Sequence, residues 1–173
     1  MSVSRTVFHV GQHDPLAAPL LAELAIEYST RYGRTVGEVH AGLLAYPAQD
    51  FAPPYGDLLV VVEDGEVVAG GAFQRYDAET AELKRIWTSA EHRRKGLARF
   101  VLEQLEAEVA KRGYRRIFLT TGPRQPEAVA LYKATGYIPL PPDVEKALHL
   151  PALVGFVHPF EKFIGSEAEA VPA

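Results

Sequence analysis

Arg93, Arg94 and Lys95 run directly into Gly96, Leu97 and Ala98, with His92 before them and Arg99 after. The run stands between a segment of strand character, Thr80–Thr88, and the strongest amphipathic helix pattern of the chain, Gly96–Arg112. Free N–H groups at a helix start point outward, and the helix dipole favours an anion there. Cationic side chains at the same place are unfavourable to the helix alone, so their accumulation suggests a compensating anion such as a phosphate. Gly96 lets backbone approach a bulky group, and the small Ala98 keeps the first turn clear. Two other readings of the loop stay open: a solvated basic cluster and a patch for nucleic acid. It is not a Walker loop, because no second glycine precedes it at the needed spacing and no Lys-Ser/Thr pair follows. Nor does it have the G-x-G-x-x-G of a dinucleotide fingerprint.

The elements that must position this loop follow from local pattern. Arg5–Val10 reads as a first strand. Asp14 offers an N-cap with Pro15 behind it, and Leu16, Leu20, Leu21, Leu24 and Tyr28 form a helical stripe ending near Gly33. Thr35 and Glu38 have capping-box spacing and open a second short helix through Val39, Leu43 and Leu44. Tyr46–Gly56, with prolines at 47, 53 and 54, is loop by composition and long enough to carry function. Asp64-Gly65 between two β-rich runs predicts a hairpin with a type I′ turn. In Thr80–Thr88, Leu83 and Ile86 are both natural inward residues, yet a spacing of three puts them on opposite faces of a regular strand. A β-bulge reconciles them; Trp87 as the inward residue is the regular alternative. After the long helix, whose stripe is Leu97, Phe100, Val101, Leu105 and Val109 with Gly113 as its cap, come a strand Tyr114–Thr120 and a helix Pro126–Thr135 closed by Gly136. Two closing strands, Tyr137–Leu140 and Val154–Phe163, complete the order β-α-α-β-β-β-α-β-α-β-β, which predicts one α/β sandwich.

R-x-x-G-x-A after a strand resembles the R/Q-x-x-G-x-G/A pyrophosphate loop of the GNAT acetyltransferase superfamily. ELKRIWTSAEHRRKG is similar to that family's fourth strand leading into the loop, YRRIFLTTG to its fifth strand, and PEAVALYKATGY to the helix after it, with the A-x-x-x-Y-x-x-x-G-Y ending. The likeness covers Thr80–Ile138 most closely and fades after Pro139. It implies an α/β (α+β sandwich) fold of mixed, mostly antiparallel sheet, with about six to seven strands and about four flanking helices, splayed between the fourth and fifth strands. It implies acetyl-CoA as co-substrate. Pyrophosphate would be held at the loop residues Arg93, Arg94, Lys95, Gly96, Leu97 and Ala98 with Arg99, and the pantetheine arm and acetyl carbonyl by the main chain of Ile86, Trp87 and Thr88. Tyr132 matches the family's frequent general acid, a phenol that stays protonated at neutral pH; a tyrosine on that apolar stripe is also a natural core residue. Glu82 is the candidate base, directly or through water, and its alternative is an exposed strand residue paired with Lys84 or Arg85. In similar enzymes the early helices and the following loop build the acceptor pocket. That makes Tyr28, Tyr46, Asp50, Phe51 and Tyr55 candidate wall residues and Arg75 and Arg85 candidates to hold a carboxylate.

Composition narrows the rest. The 173 residues suffice for one core, with 47% hydrophobic and 23% charged residues as in ordinary globular chains. A formal charge of −4 argues against nucleic-acid binding by the whole surface. The absence of cysteine excludes disulfides, thiolate metal sites and a cysteine acyl-enzyme, and it fits a reducing, cytoplasmic setting. The histidines His40, His149 and His158 lack the spacing of a metal pair, so no metal is expected. The start of the chain lacks the pattern of a signal peptide, and the apolar run around Leu150 is broken by Pro151 and Gly155, so no membrane span is expected. The reading is therefore one acetyltransferase domain, 1–164, with a flexible tail, 165–173. It transfers acetyl from acetyl-CoA to a small-molecule amine by direct attack in a ternary complex. A protein or peptide acceptor and a non-catalytic acyl-CoA sensor are the alternatives, and Val154–Phe163 is placed to reach across a homodimer.

Overall fold

A computed structural model of the chain describes residues 4–93, 96–121, 126–141 and 158–164. Seven strands form one sheet: β1 (Arg5–His9), β2 (Asp57–Glu63), β3 (Glu66–Arg75), β4 (Thr80–Thr88), β5 (Arg116–Thr121), β6 (Ile138–Pro139) and β7 (His158–Phe163). Their spatial order is β1-β2-β3-β4-β5-β7-β6, and every pairing is antiparallel except β4 with β5. The helices are α1 (Ala18–Tyr32), α2 (Val36–Ala45), α3 (Leu97–Lys111) and α4 (Pro126–Ala134). No helix among the described residues is long and apolar enough to cross a membrane.

The two sheet faces bury two separate cores, as alternation along the strands requires. Leu59, Val61, Leu83, Ile117 and Leu119 pack beneath the α3 stripe of Leu97, Val101, Leu105 and Val109, together with Tyr132 of α4. Leu58, Ala72 and Trp87 face the other way, onto Leu20, Leu21 and Leu24 of α1 and onto Phe51. Helix ends follow the sequence signals. Thr35 Oγ1 accepts from the Glu38 N–H at 3.1 Å, and Gly33 closes α1 with φ 69°. Asp14 caps a short 3-10 turn, Pro15–Ala17, that leads into α1, so the helix proper begins later than its capping signal. The α3 cap is Arg112, with Gly113 just beyond it at φ 91°. Asp64 and Gly65 both have positive φ, 50° and 83°, as the predicted I′ hairpin needs.

The bulge in β4 is present, at Arg85. Gly70 pairs with Trp87 and Ala72 with Lys84, so Gly71 alone faces both Arg85 and Ile86. Arg85 sits at φ 60°. The extra residue puts Leu83 and Ile86 on the α3 face and sends Trp87 to the α1 face; the bulge reading stands, and the regular strand with Trp87 on the face of Leu83 does not. β7 lies between β5 and β6, pairing with β5 from His158 to Phe163 and with β6 at Phe160 and Glu161. The strand expected to reach across a dimer thus has its pairing inside the sheet, and residues 154–157 lie outside the described residues.

Burial of two phenols on this core makes stability sensitive to high pH. Tyr132 is 6% and Tyr137 3% exposed. Burial first, and then the Tyr28 ring for Tyr132 and the Glu106 carboxylate for Tyr137, push both above the ordinary tyrosine range. Below about pH 10 both folded and unfolded chains keep these protons. Above it only the unfolded tyrosines ionise, so stability falls by up to ~1.4 kcal/mol per pH unit for each phenol until the folded values are reached. The urea midpoint should therefore hold up to about pH 10 and drop steeply above it, less steeply in Tyr137→Phe. Equal slopes in the two proteins would remove Tyr137 from this account.

Candidate active site

The parallel pairing of β4 with β5 lasts only from Thr80 to Glu82, opposite Arg116 to Phe118. Beyond Glu82 no further β4–β5 pairing continues, and a cleft of about 740 Å³ opens between the strands. Leu83–Thr88 form one wall and Leu119–Thr121 the other. The start of α3 closes one end through Gly96, Ala98 and Arg99, and α4 contributes Ala128, Leu131 and Tyr132. Tyr28 of α1, Val39 and Leu43 of α2, and Tyr46 and Phe51 of the following loop line the remaining side.

The α3 start has the form its sequence suggests. Gly96 is the N-cap, at φ 75°, and no side chain caps the helix. A Cβ at Gly96 would meet nothing within 4 Å, so the space before the first turn is open. Leu97 anchors the helix in the core at 1% exposure, while Ala98 and Arg99 face the cleft. Arg93 also lines it, 3.8 Å from Glu27. Arg94 and Lys95 lie outside the described residues. His92 departs from the expected cationic loop: its Nε2 is 3.0 Å from Glu66 of the hairpin, and it is not among the lining residues. The 3-10 turn Ala90–His92 directs it there.

On the strand wall, Ile86, Trp87 and Thr88 all border the cleft. The Trp87 indole is buried toward α1, with Nε1 3.4 Å from Glu23 Oε1. Thr88 Oγ1 is buried and has no hydrogen-bond partner among the described residues. A buried hydroxyl in that state is rare without a ligand or water to satisfy it. Tyr132 is buried with its ring against Tyr137 and Phe160, at centroid distances of 5.6 and 5.8 Å, and it borders the cleft. Burial holds its phenol protonated.

Glu82 is the last β4 residue paired with β5. It is 6% exposed, not a surface residue, and it does not itself line the cleft. Gln74 Nε2 donates to its Oε1 at 3.1 Å, and Lys84 Nζ lies 3.5 Å from its Oε2. Among the candidate wall residues, Tyr28, Tyr46 and Phe51 reach the cleft, while Asp50 and Tyr55 do not. The 3-10 turn Ala48–Phe51 turns Phe51 inward. Tyr55 instead lies under Arg75, 4.6 Å from ring centroid to guanidinium carbon, so those two residues answer each other away from the cleft. Arg85 does line it. Gln12, which the sequence reading passed over, is 2% exposed and accepts from Arg85 Nη1 at 2.9 Å. One glutamine between a strand and a turn carries no periodic or motif signal that could have singled it out.

A model of the Acetyltransferase (GNAT) family matches residues 21–137. The uncharacterized N-acetyltransferase YsnE of Bacillus subtilis is 45% identical over 60 residues, which is 34% of this chain and 40% of that protein. The uncharacterized N-acetyltransferase YjgM of Escherichia coli is 28% identical over 131 residues, 73% of this chain and 77% of that protein. Among solved structures, the PaiA N-acetyltransferase of Thermoplasma acidophilum in complex with coenzyme A superposes with a TM-score of 0.69 at 17% identity, covering 92% of this chain and 99% of that one.

Proposed function

Because the chain belongs to the GNAT acetyltransferase family, whose members use acetyl-CoA, we propose that it transfers the acetyl group to the primary amine of a small molecule. The transfer is direct, within a ternary complex, and residues 1–164 form the single domain that performs it. The observation that carries the reading is the fork in the sheet: pairing between β4 and β5 ends at Glu82, and the cleft so opened joins an uncapped helix start to a buried tyrosine.

The residues present suit acetyl-CoA. The free N–H groups of Leu97, Ala98 and Arg99 at the α3 start, with Arg93 nearby, would hold the pyrophosphate. Ile86, Trp87 and Thr88 would hold the pantetheine arm and the thioester, and Thr88 Oγ1 would gain the partner it lacks. Acetyl-CoA supplies an activated acyl group on a thiolate leaving group. The chain supplies the rest. Its β4 backbone orients the thioester and its aromatic wall at Tyr28, Tyr46 and Phe51 sheds water from the amine. Tyr132 gives its proton to the departing sulfur. Glu82, at the root of the fork, takes the proton from the amine through a water.

Acetyl-CoA at 100 times its Kd should stabilise the fold by ~2.7 kcal/mol, a rise in Tm of roughly 5–10 °C for a chain of this size. Dephospho-CoA should match much of that rise and ATP should not. Thiol release on an amine panel then reads turnover without background from protein thiols, since the chain has no cysteine. Direct attack predicts intersecting initial-velocity lines in the two substrates; parallel lines would indicate an acyl-enzyme instead. No shift with acetyl-CoA would sink the assignment, and a shift without turnover on any amine would leave a sensor.

A further inference from the structure

We infer that the acceptor of this cleft carries a carboxylate beside its amine, held by the Arg85 guanidinium, so that the substrate class is a free amino acid with an apolar or aromatic side chain. The inference rests on the acetyltransferase reading of the cleft and names what its acceptor end selects.

Four cations other than Arg85 line the cleft. Arg34 lies 3.5 Å from Glu38, Lys84 3.5 Å from Glu82 and Arg93 3.8 Å from Glu27, while Arg99 is exposed to solvent on the first turn of α3. Arg85 has neither remedy. It is 7% exposed, and among the described residues no carboxylate lies within ion-pair distance. Its Nη1 donates to Gln12 Oε1 and its Nη2 to the Leu43 carbonyl, both neutral acceptors. The Phe51 and Tyr46 rings lie 4.6 and 5.6 Å from its guanidinium carbon. A guanidinium has five N–H donors in a planar fork suited to a carboxylate, and two of them are engaged here. Burying such a charge without a counterion is unfavourable by several kcal/mol, and burial lowers the Arg85 pKa.

Two further features show that this placement is built. Arg85 occupies the bulge of β4 at φ 60°, a conformation that a non-glycine residue holds only when its surroundings impose it. Gln12, itself 2% exposed, is fixed by its own donation to the Tyr46 carbonyl at 2.7 Å. A glutamate at position 12 would cancel the guanidinium charge and lose the donation to the Tyr46 carbonyl; glutamine makes both hydrogen bonds and leaves the charge for a ligand. The neighbouring residues Ile86–Thr88 are those proposed to hold the thioester. An α-amino acid has one carbon between carboxylate and amine, so anchoring the first at Arg85 keeps the second beside that segment. The rings of Tyr46, Phe51 and Tyr28 face the same space and suit an apolar side chain.

The test compares α-amino acids with their carboxamides and their decarboxylated amines, by thiol release at saturating acetyl-CoA. The parent should favour the acid by on the order of 100-fold in kcat/KM, the value of a lost charge-assisted pair in a buried setting. The carboxamide's amine is the less basic and more available as free base, which makes the comparison stringent. Arg85→Gln should reduce the preference to within about threefold. Gln12→Glu, which keeps the side-chain size and gives Arg85 an internal counterion but loses the bond to the Tyr46 carbonyl, should do the same with the KM for acetyl-CoA little changed. A merely structural Arg85, pinning α2 to the sheet, predicts no loss of preference in Gln12→Glu. If no amine turns over, the activity reading fails, and calorimetry on the CoA-saturated protein still decides the inference: amino acids should bind and their carboxamides should not. Equal turnover or binding of acids and carboxamides by the parent overturns it, as does survival of the preference in either variant that still melts cooperatively.

Discussion

A Tyr132→Phe variant should turn over on the order of 100-fold more slowly than the parent, with its affinity for acetyl-CoA nearly unchanged. Only the hydroxyl is removed. The ring, packed on Tyr137 and Phe160, stays, so the core should hold. The phenol is buried at the cleft and held protonated by desolvation, so it remains a donor throughout the range in which an amine can be neutral. Loss of that donor should fall on kcat, because a thiolate leaving without a proton is a feature of the transition state and not of the bound complex. The pH profile separates this residue from Glu82. In Tyr132→Phe the rate should be low at every pH. In Glu82→Gln it should be low near neutrality and recover as the pH rises and the amine deprotonates in solution. A Tyr132→Phe enzyme with parental kcat would return that residue to the core, and a flat pH-independent loss in Glu82→Gln would make Glu82 a support for Lys84 instead of a base.

How much of this was legible in the sequence depended on whether the signal was local. The order of strands and helices, the I′ turn at Asp64-Gly65 and the caps at Gly33 and Thr35 follow from residues a few positions apart, and all stand in the structure. The bulge was legible because two apolar residues at a spacing of three contradicted a regular strand. The α3 start was legible because a glycine among cations is an unusual way to open a helix. What stayed hidden came from contacts between distant segments. Gln12 and Arg85 are 73 positions apart. His92 looks like part of a cationic loop until the hairpin brings Glu66 beside it. Tyr55 and Phe51 are both aromatics on one loop, and only the 3-10 turn at Ala48–Phe51 decides which of them faces the cleft. Glu82 read as an exposed strand residue or a base; it is buried, and its Gln74 partner comes from the neighbouring β3.

That same loop carries the second large effect. Gly56→Ala should destabilise the protein by about 3 kcal/mol, lowering Tm by roughly 6–12 °C. Dihedral strain is not the reason, since Gly56 is not among the glycines of positive φ. A Cβ there would lie 2.1 Å from the Asp50 carbonyl oxygen and 2.8 Å from that of Phe73, so backbone must move. Gly71 offers the contrast. Its added Cβ would meet Ile86 Cδ1 and Leu105 Cδ1, both at 2.9 Å, which are ends of side chains that can turn aside. Gly71→Ala should therefore be the milder change. The moving part in Gly56→Ala is the loop held at one end by Arg112, whose Nη1 donates to the Gly56 carbonyl at 2.8 Å, and it carries Tyr46 and Phe51 against Arg85. Displacing it loosens the proposed acceptor wall while leaving untouched the α3 start, which is proposed to hold the nucleotide end. In the fraction that folds, KM for the amine should rise and the affinity for acetyl-CoA should stay. A Gly56→Ala protein that melts within a degree or two of the parent would mean that the loop yields freely, and a wall that yields freely could not hold Arg85 in place for a carboxylate.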